Sequence, residues 1–217
     1  MLPGISSKTE KEQNQTIQNY YKFQSKIYDL TRWSFLFGRI GIVKQIPFDR
    51  NASINILEVG CGTGYNLKIL AKQFPNATIT GLDVSEDMVD IAQKQTARFG
   101  NRVNIICGPY MKGSTTYNDK IDVILFSYSL TMINPQWSEL LEQAKIDLKK
   151  DGVVALADFH NSNFSFFKKH MSNHHVRMDG HLLKAFKTEA AYETVYERVN
   201  PAYLGIWHYV MYIGKKQ

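Results

Sequence analysis

Residues 54–64, with the sequence INILEVGCGTG, constrain the fold of this chain more than any other stretch. An apolar, β-branched run ends in Glu58 and is followed by three glycines at alternate positions, Gly60, Gly62 and Gly64. The residues after Gly64 have the apolar spacing of a helix. Glycines suit a sharp turn between strand and helix because they adopt positive φ values and let a ligand approach the bare backbone. The stretch therefore predicts a strand, a ligand-binding glycine turn and a helix.

The spacing of these glycines indicates which ligand class to exclude. Dinucleotide-binding turns have the spacing Gly-x-Gly-x-x-Gly, and Tyr65 stands where their third glycine would be. The turn therefore favours a ligand other than NAD or FAD.

Length, charge and cysteine content limit the class of protein. A chain of 217 residues suits one α/β domain. Its net charge of +6 favours a negatively charged partner, whether nucleic acid, an anionic lipid headgroup or an acidic metabolite. The two cysteines, Cys61 and Cys107, indicate a reducing compartment without disulfides. No signal peptide or membrane-spanning run of about 20 apolar residues is visible, so we expect a cytoplasmic protein.

Beyond Pro47, apolar strands alternate with amphipathic helices. The predicted strands cover residues 54–59, 77–83, 103–107, 121–127 and 153–159. The predicted helices cover residues 65–74, 86–99 and 135–149, with Ser85 capping the second. Near-continuous apolar strands are typical of a parallel sheet that is buried on both faces. This pattern predicts a doubly wound, Rossmann-like α/β fold.

The last third of the chain departs from this alternation. A helix is predicted over residues 163–175 and a loop from there to about residue 191. Two β-rich stretches follow, at residues 192–199 and 203–213, with Pro201 between them. Two strands in quick succession predict a terminal hairpin. We therefore expect a mostly parallel, seven-stranded sheet with an antiparallel terminal strand.

The first part of the chain differs in composition from the rest. We expect residues 1–47 to form a polar tail and a helical lid, and residues 48–217 to form the Rossmann-like domain. Aromatic-rich helices are predicted from residue 17 onward, with breaks near Gly38 and Gly41. These helices either cover a face of the core or form a lid over the ligand that also touches a membrane. The apolar, basic-edged residues 33–43 have the composition of an interfacial helix.

In a doubly wound sheet the ligand lies across the carboxyl ends of the strands. The residues expected there are 58–64, Asp83, 108–110, 127–129 and 158–160. Asp83 follows Gly64 by 19 residues, at the end of the second strand, where a carboxylate can accept both hydroxyls of a ribose. Its alternative role is to cap the helix that begins after Ser85.

The motif LEVGCGTG at residues 57–64, with GLDVS at 81–85 and Met88, resembles class I S-adenosylmethionine-dependent methyltransferases over about residues 50–160. The resemblance implies that the glycines hold the methionine part of S-adenosyl-L-methionine and that Asp83 holds its ribose. The cofactor-binding residues predicted in this way are Tyr28, Arg32, Glu58, Gly60, Cys61, Gly62, Gly64, Asp83, Val84, Met88 and Ser127. One departure is Gly108-Pro-Tyr110, where many members of the family place an acidic residue for the adenine amino group.

The flanking segments 20–39, 126–133, 157–159 and 207–215 resemble bacterial N-methyltransferases of polar lipids, of the diacylglyceryl-homoserine and phosphatidylethanolamine type. This implies an amine-bearing lipid as the acceptor and contact with the inner membrane face. A soluble small-molecule acceptor stays open, as does a cofactor-binding module without catalysis. A nucleic-acid substrate is not expected, because Ser127-Tyr-Ser-Leu130 occupies the place of a base-binding element.

An amine acceptor needs a group that takes its proton, because a primary amine resembles Lys, with a reference pKa of about 10.4. The predicted catalytic residues are Tyr20, Tyr28, Asp158 and His160. Asp158 and His160 would project on one side of a regular strand. Each has an ordinary alternative, as a core or surface residue.

The histidines after the fifth strand include one pair at helical spacing, His170 and His174. No acidic partner motif accompanies them, so no metal site is predicted. With Lys168 and Lys169 they more simply form a basic surface that could face anionic lipid.

Overall fold

The computed structural model describes residues 35–133 and 136–217. Its centre is a seven-stranded sheet in the order β3-β2-β1-β4-β5-β7-β6. The strands are β1 (Asn55–Val59), β2 (Thr78–Asp83), β3 (Val103–Cys107), β4 (Ile121–Ser127), β5 (Leu148–Asn161), β6 (Glu193–Ala202) and β7 (Trp207–Lys215). The first five strands are parallel, and β7 runs antiparallel between β5 and β6. The predicted doubly wound, mostly parallel sheet with an antiparallel terminal strand is confirmed.

Helices connect the strands and cover both faces of the sheet. They are α1 (Arg39–Gln45), α2 (Tyr65–Gln73), α3 (Glu86–Thr96), α4 (Trp137–Asp147), α5 (Ser165–Asn173) and α6 (His181–Lys184). Ser85 caps α3 as expected, because its Oγ accepts a hydrogen bond of 3.4 Å from the backbone N of Met88. Helix α6 and the π-helical turn Ala185–Glu189 lie where the sequence predicted a loop.

Two strands run further than their apolar pattern indicates. Strand β5 begins at Leu148, which pairs with Ile121 before the register shifts. Strand β6 continues through Pro201, which was expected to separate the two terminal strands. Proline is tolerated there because β6 is the edge strand of the sheet, so one side of its backbone has no strand to pair with.

The two faces of the sheet carry separate apolar cores. Helices α4 and α6 cover one face, where the buried side chains include Phe126, Leu141 and Phe186. Helices α1 and α2 cover the other face, with Ile42 and Leu67 among its fully buried side chains. Burial on both faces explains why the central strands are apolar almost throughout.

Helix α1 belongs to the core in the part of the predicted lid that the structure describes. Ile42 is 0% exposed and Val43 is 1% exposed. Gly38, with φ +80°, precedes the helix, but Gly41 lies inside it, so the predicted break at Gly41 was wrong. A Cβ at Gly41 would lie 3.0 Å from the Sδ of Met211. The glycine therefore serves close packing of α1 against β7 rather than ending a helix.

Across the described ranges, none of the helices combines the length and the apolar character needed to cross a bilayer.

Candidate functional site

The glycine turn after β1 is fixed to its neighbours by short backbone contacts. The N–H groups of Gly60 and Cys61 both donate to the carbonyl of Leu82, at 2.8 and 2.9 Å. Gly60 has φ +75°, and a Cβ at this position would lie 2.8 Å from the Cβ of Ser129. The turn after β1 and the turn after β4 therefore touch at a point where only glycine fits.

Asp83 joins the end of β2 to this turn. One carboxylate oxygen accepts a hydrogen bond of 2.8 Å from the N–H of Gly62, and the other accepts one of 3.0 Å from the N–H of Ser85. A carboxylate has about four acceptor positions, so each oxygen retains capacity for a further donor. The side chain is only partly buried. Asp83 can therefore order the turn and still accept the two hydroxyls of a ribose.

Glu58 and Cys61, both predicted to bind cofactor, are buried beneath the turn. The Oε1 of Glu58 accepts a hydrogen bond of 2.7 Å from the side chain of Asn66, in the first turn of α2. The Cys61 side chain faces β2, where a Cβ on Gly81 would lie 2.9 Å from its Sγ. The described contacts therefore give Glu58 and the Cys61 side chain a role in holding the strand, turn and helix together.

The side of the site predicted for adenine lies between β2 and β3. Met88 is buried and Val84 is half-buried. The N–H of Gly108 donates to the carbonyl of Asp83 at 2.8 Å, which keeps the two strand ends together. The hydroxyl of Tyr110 donates to Asp147 on α4 at 2.6 Å, so it is occupied elsewhere. Residues 108–110 therefore supply no acidic side chain for the adenine amino group, as the sequence indicated.

The turn after β4 contributes polar groups that have no partner among the described residues. The hydroxyls of Ser127 and Ser129 are buried, and neither makes a hydrogen bond within residues 35–133 and 136–217. Between them Tyr128 has φ +55°, a strained value for a residue with a side chain. Its hydroxyl donates to the carbonyl of Phe37 at 2.8 Å. Buried hydroxyls of this kind are usually satisfied, so a polar ligand at this turn fits them.

Asp158, a predicted catalytic residue, is 0% exposed and holds the loop that follows β4. Its Oδ1 accepts hydrogen bonds from the hydroxyl of Thr131 at 2.5 Å and from the N–H of Phe159 at 2.8 Å. Its Oδ2 accepts one of 3.2 Å from the N–H of Thr131. Burial raises the pKa of Asp158 to about 6, although these hydrogen bonds act to lower it. The contacts describe a positioning residue, and a catalytic role for Asp158 stays a prediction.

The raised pKa of Asp158 gives a measurable pH dependence. Between pH 4 and pH 6 the folded chain keeps this proton while the unfolded chain has lost it, so stability falls as pH rises. The variant Asp158→Asn lacks this effect. We expect the free energy of unfolding of the native chain, relative to the variant, to fall by about 2 kcal/mol from pH 4.5 to pH 7.5. Urea titrations at both pH values measure this difference.

Asp151→Asn is the matched control for that experiment. Lys215 lies 2.8 Å from the Asp151 carboxylate and lowers its pKa, so the trend with pH has the opposite sign. If the difference in the free energy of unfolding between the native chain and Asp158→Asn did not change with pH over this range, a raised pKa at Asp158 would be contradicted.

His160 lies in a β-bulge at the end of β5, where the register with β7 shifts between Phe159 and Asn161. A bulge interrupts the alternation of side chains along a strand. The expectation that His160 and Asp158 project on the same side of β5 therefore no longer holds. Its half-buried ring packs on Gly180, and burial, reinforced by His208, lowers its pKa. Among the described residues no hydrogen bond joins it to Asp158. Its catalytic role also stays a prediction.

A second imidazole lies nearby, in a pair that the sequence analysis did not single out. The Nδ1 of His181 is 2.5 Å from an Asp179 carboxylate oxygen. The His181 side chain is 9% exposed, and its Nε2 is buried without a hydrogen-bond partner in the described part of the chain. Burial lowers the pKa of His181, and Asp179 acts in the opposite direction. The pair therefore offers a neutral imidazole whose buried Nε2 has no hydrogen-bond partner among the described residues.

Backbone contacts place this pair at the carboxyl edge of the sheet. Gly180 donates to the carbonyl of His160 at 2.8 Å, and Asp179 forms a bridge with Asn161 at the end of β5. Arg177 donates to the carbonyl of Thr131, in the loop after β4, at 3.0 Å. The one sequence signal for the pair is Gly180, whose φ of +76° turns the chain between the acid and the histidine.

Three predicted residues, Tyr20, Tyr28 and Arg32, lie outside the described residues. The ring of His170, on α5, lies 4.9 Å from that of His174, the residue that follows the helix. Within residues 35–133 and 136–217, however, no group of three or more His, Cys, Asp or Glu side chains is arranged to hold a metal ion.

Comparisons with known proteins address the family. Residues 56–152 match a model described as a methyltransferase domain. A malonyl-[acyl-carrier protein] O-methyltransferase of Priestia megaterium (strain DSM 319 / IMG 1521) is 34% identical over 114 residues, which are 52% of this chain and 40% of that relative. The chain therefore spans less than half of that relative's length. A ubiquinone/menaquinone biosynthesis C-methyltransferase of Geotalea daltonii is 27% identical, covering 72% of this chain and 68% of that one.

Among solved structures, the Burkholderia thailandensis 1,6-didemethyltoxoflavin-N1-methyltransferase, with bound S-adenosylhomocysteine, superposes with a TM-score of 0.72. The superposition covers 99% of this chain and 93% of that one at 15% identity, which shows a shared fold. The glycine turn, Asp83 and the unpartnered hydroxyls after β4 fit a nucleoside cofactor with a polar tail. Residues 56–152 therefore match a methyltransferase domain, and its cofactor is S-adenosyl-L-methionine.

Proposed function

We propose that this protein methylates the amine of a polar lipid headgroup. The observation that carries the proposal is the Asp179–His181 pair at the carboxyl edge of the sheet. An amine in water is protonated and has no free lone pair, so it must lose a proton before it can accept a methyl group. A neutral imidazole oriented by a carboxylate is suited to that task.

Each group of the site has a defined part in this reaction. When bound, S-adenosyl-L-methionine supplies an electrophilic methyl group on a positively charged sulfur. The glycine turn and Asp83 hold the cofactor in place, so catalysis depends mainly on position. The Nε2 of His181 takes the proton of the acceptor ammonium. The Asp179 carboxylate holds the imidazole in the required orientation and stabilises its protonated form.

The lipid part of the proposal rests on the resemblance of the flanking segments to polar-lipid N-methyltransferases. A lipid acceptor requires the protein to work at a membrane surface, on the cytoplasmic side. The surface that would make this contact is considered below.

A second candidate follows from the curated relatives, which are named for O-methylation of malonyl-[acyl-carrier protein]. A carboxylate acceptor needs a cation to bind it and no base, since it is already ionised. Arg177, the cation nearest to the pair, is held by Asp179 at 2.7 Å. The Asp179–His181 pair supplies a proton acceptor and Arg177 is already bound to Asp179, so the pair favours an amine over a carboxylate.

Transfer of labelled methyl groups distinguishes these acceptors. The protein is incubated with methyl-labelled S-adenosyl-L-methionine and one acceptor at a time. The acceptors are detergent-dispersed phosphatidylethanolamine, malonyl-loaded acyl carrier protein and water-soluble amines. We expect label in the aminolipid. Label in the carrier protein or in a soluble amine alone would overturn the lipid assignment, and cofactor binding without turnover of any acceptor would indicate a non-catalytic module.

A further inference from the structure

Large apolar side chains lie exposed at one end of the molecule. We call this surface the apolar rim. It consists of Phe37, Phe164, Phe166, Tyr203, Leu204 and Ile206. Phe166 is 68% exposed and Leu204 is 109% exposed. Single exposed apolar residues are ordinary, but a contiguous set at one end of a domain is characteristic of a binding surface.

Contacts between the segments show that the rim is continuous. The hydroxyl of Ser162 donates to the carbonyl of Ile206 at 2.6 Å and accepts from the N–H of Phe164 at 3.1 Å. It therefore joins the start of α5 to the turn between β6 and β7. The ring of Phe37 packs edge-on against that of Tyr203, with centroids 5.5 Å apart.

The rim lies at the same edge of the sheet as the cofactor site. Strand β6 runs parallel to β5, because both are antiparallel to β7. The turn after β6 therefore lies beside the carboxyl ends of β1 to β5. Tyr128, in the turn beside the cofactor site, donates its hydroxyl to the carbonyl of Phe37. One hydrogen bond thus connects the wall of the site to the rim.

Leu204 is the residue of the rim that the fold itself explains least. It has φ +56°, in the left-handed region that favours glycine and asparagine. A leucine there is strained, and its full exposure means that it fills no part of the core. A strained, fully exposed leucine at the tip of a turn is available for contact with an apolar partner.

The charge around the rim indicates the chemistry of that partner. Residues 159–176 contain Lys168 and Lys169 but no Asp or Glu. Residues 199–208, which include the turn between β6 and β7, likewise contain no Asp or Glu. Apolar side chains bordered by cations, with no carboxylate among them, complement an anionic lipid surface.

We propose that the apolar rim inserts into the interface of an anionic membrane, with Lys168 and Lys169 contacting lipid headgroups. This proposal rests on the proposed function, because it explains how a headgroup reaches the carboxyl edge of the sheet. Docking at the rim places that edge, with its cofactor site, against the membrane.

Flotation of the full chain with vesicles tests the proposal without any turnover. One set of vesicles contains phosphatidylcholine and phosphatidylglycerol in equal parts, and the other contains phosphatidylcholine alone. Leu204→Asn keeps a residue that tolerates positive φ. We expect it to bind about tenfold more weakly to the mixed vesicles, because an inserted apolar side chain is lost.

The charge variant and the control separate the two parts of the surface. The double variant Lys168→Gln with Lys169→Gln is expected to bind the mixed vesicles about 30-fold more weakly and to leave the weaker binding to pure phosphatidylcholine unchanged. Ile146→Asn is the matched control, since Ile146 is 48% exposed at the end of α4 that leads to the opposite edge. It is expected to bind as the native chain does.

Failure of the native chain to bind mixed vesicles would overturn the rim proposal, and so would equal losses of vesicle binding for Leu204→Asn and Ile146→Asn. The proposal would also be overturned if the rim variants lost binding to an acidic carrier protein rather than to vesicles. Turnover of detergent-dispersed phosphatidylethanolamine is measured separately. Turnover without vesicle binding would reject the rim and leave the function standing. Vesicle binding without turnover of that lipid would reject the function and leave the rim standing.

Discussion

Replacing Gly60 with alanine is expected to weaken cofactor binding by about 100-fold while leaving the chain folded. The added Cβ would lie 2.8 Å from the Cβ of Ser129, so the turn after β1 or the turn after β4 must move. Movement breaks the alignment of the backbone N–H groups that Asp83 and Leu82 hold. Displacement of the turn and of Asp83 would cost the bound cofactor two or three hydrogen bonds, which corresponds to roughly 3 kcal/mol, or about 100-fold in affinity.

Gly113→Ala is the control for this prediction. Gly113 also has a positive φ, +85°, but a Cβ there meets no heavy atom within 4 Å. Both variants are strained at positive φ by about 1–2 kcal/mol, measurable by urea unfolding. Only Gly60→Ala should lose affinity for S-adenosylhomocysteine in isothermal titration calorimetry. Equal affinities for the two variants would refute the assigned role of the turn.

His181→Gln is expected to lower kcat by a factor of 10² to 10⁴ without changing cofactor affinity, since that is the usual effect of removing a general base. Glutamine can still donate a hydrogen bond to Asp179, but it cannot take a proton at neutral pH. His160→Gln is the matched control on the neighbouring histidine. A loss of kcat confined to His160→Gln would instead support the base predicted from the sequence.

The pH profile distinguishes a proton acceptor from a residue that only supports the fold. The charged groups that act on His181 are Asp179, Arg177 and Glu189. Burial outweighs Asp179, so the pKa of His181 lies below its ordinary value of about 6.5. The native enzyme should lose activity as pH falls through that pKa, because the imidazole becomes protonated. His181→Gln should lack this acidic limb.

Stability follows the same titration. A histidine with a lowered pKa stabilises the folded chain above about pH 6.5, and this contribution is lost as the pH falls and the unfolded chain binds the proton first. The free energy of unfolding of the native chain, relative to His181→Gln, should therefore decrease below that pH. The kinetic test has its own contrary result. If kcat were unchanged in His181→Gln at pH 8, the Asp179–His181 pair would have no role in proton transfer.

The glycine turn and the position of Asp83 beside it were predictable because their signals are local. Three glycines, a strand of apolar residues and Asp83 lie within 30 residues of one another, and the backbone turn they form depends on little else. The sheet was predictable for a related reason. Alternation of apolar strands with helices specifies a parallel sheet whatever the details of its loops.

The acceptor half depends on contacts between distant parts of the chain. The bulge at His160 exists because β5 pairs with β7, about 50 residues later. The hydroxyl of Tyr128 bonds to Phe37, 91 residues away in sequence. Gly41 resembles a helix breaker until Met211 is placed beside it. Local patterns carry no information on such pairings, so the Asp179–His181 contact was not predicted and the relation between Asp158 and His160 was misjudged.

The position of β7 has a consequence for synthesis of the chain. Strand β7 follows β6 in the chain, yet it lies inside the sheet, between β5 and β6. Until it leaves the ribosome, β5 has an open edge and β6 has no strand to pair with. A chain that stops before Trp207 would thus lose two strands of the sheet rather than one. Completion of the sheet, and of the rim beside it, has to wait until β7 has been synthesised.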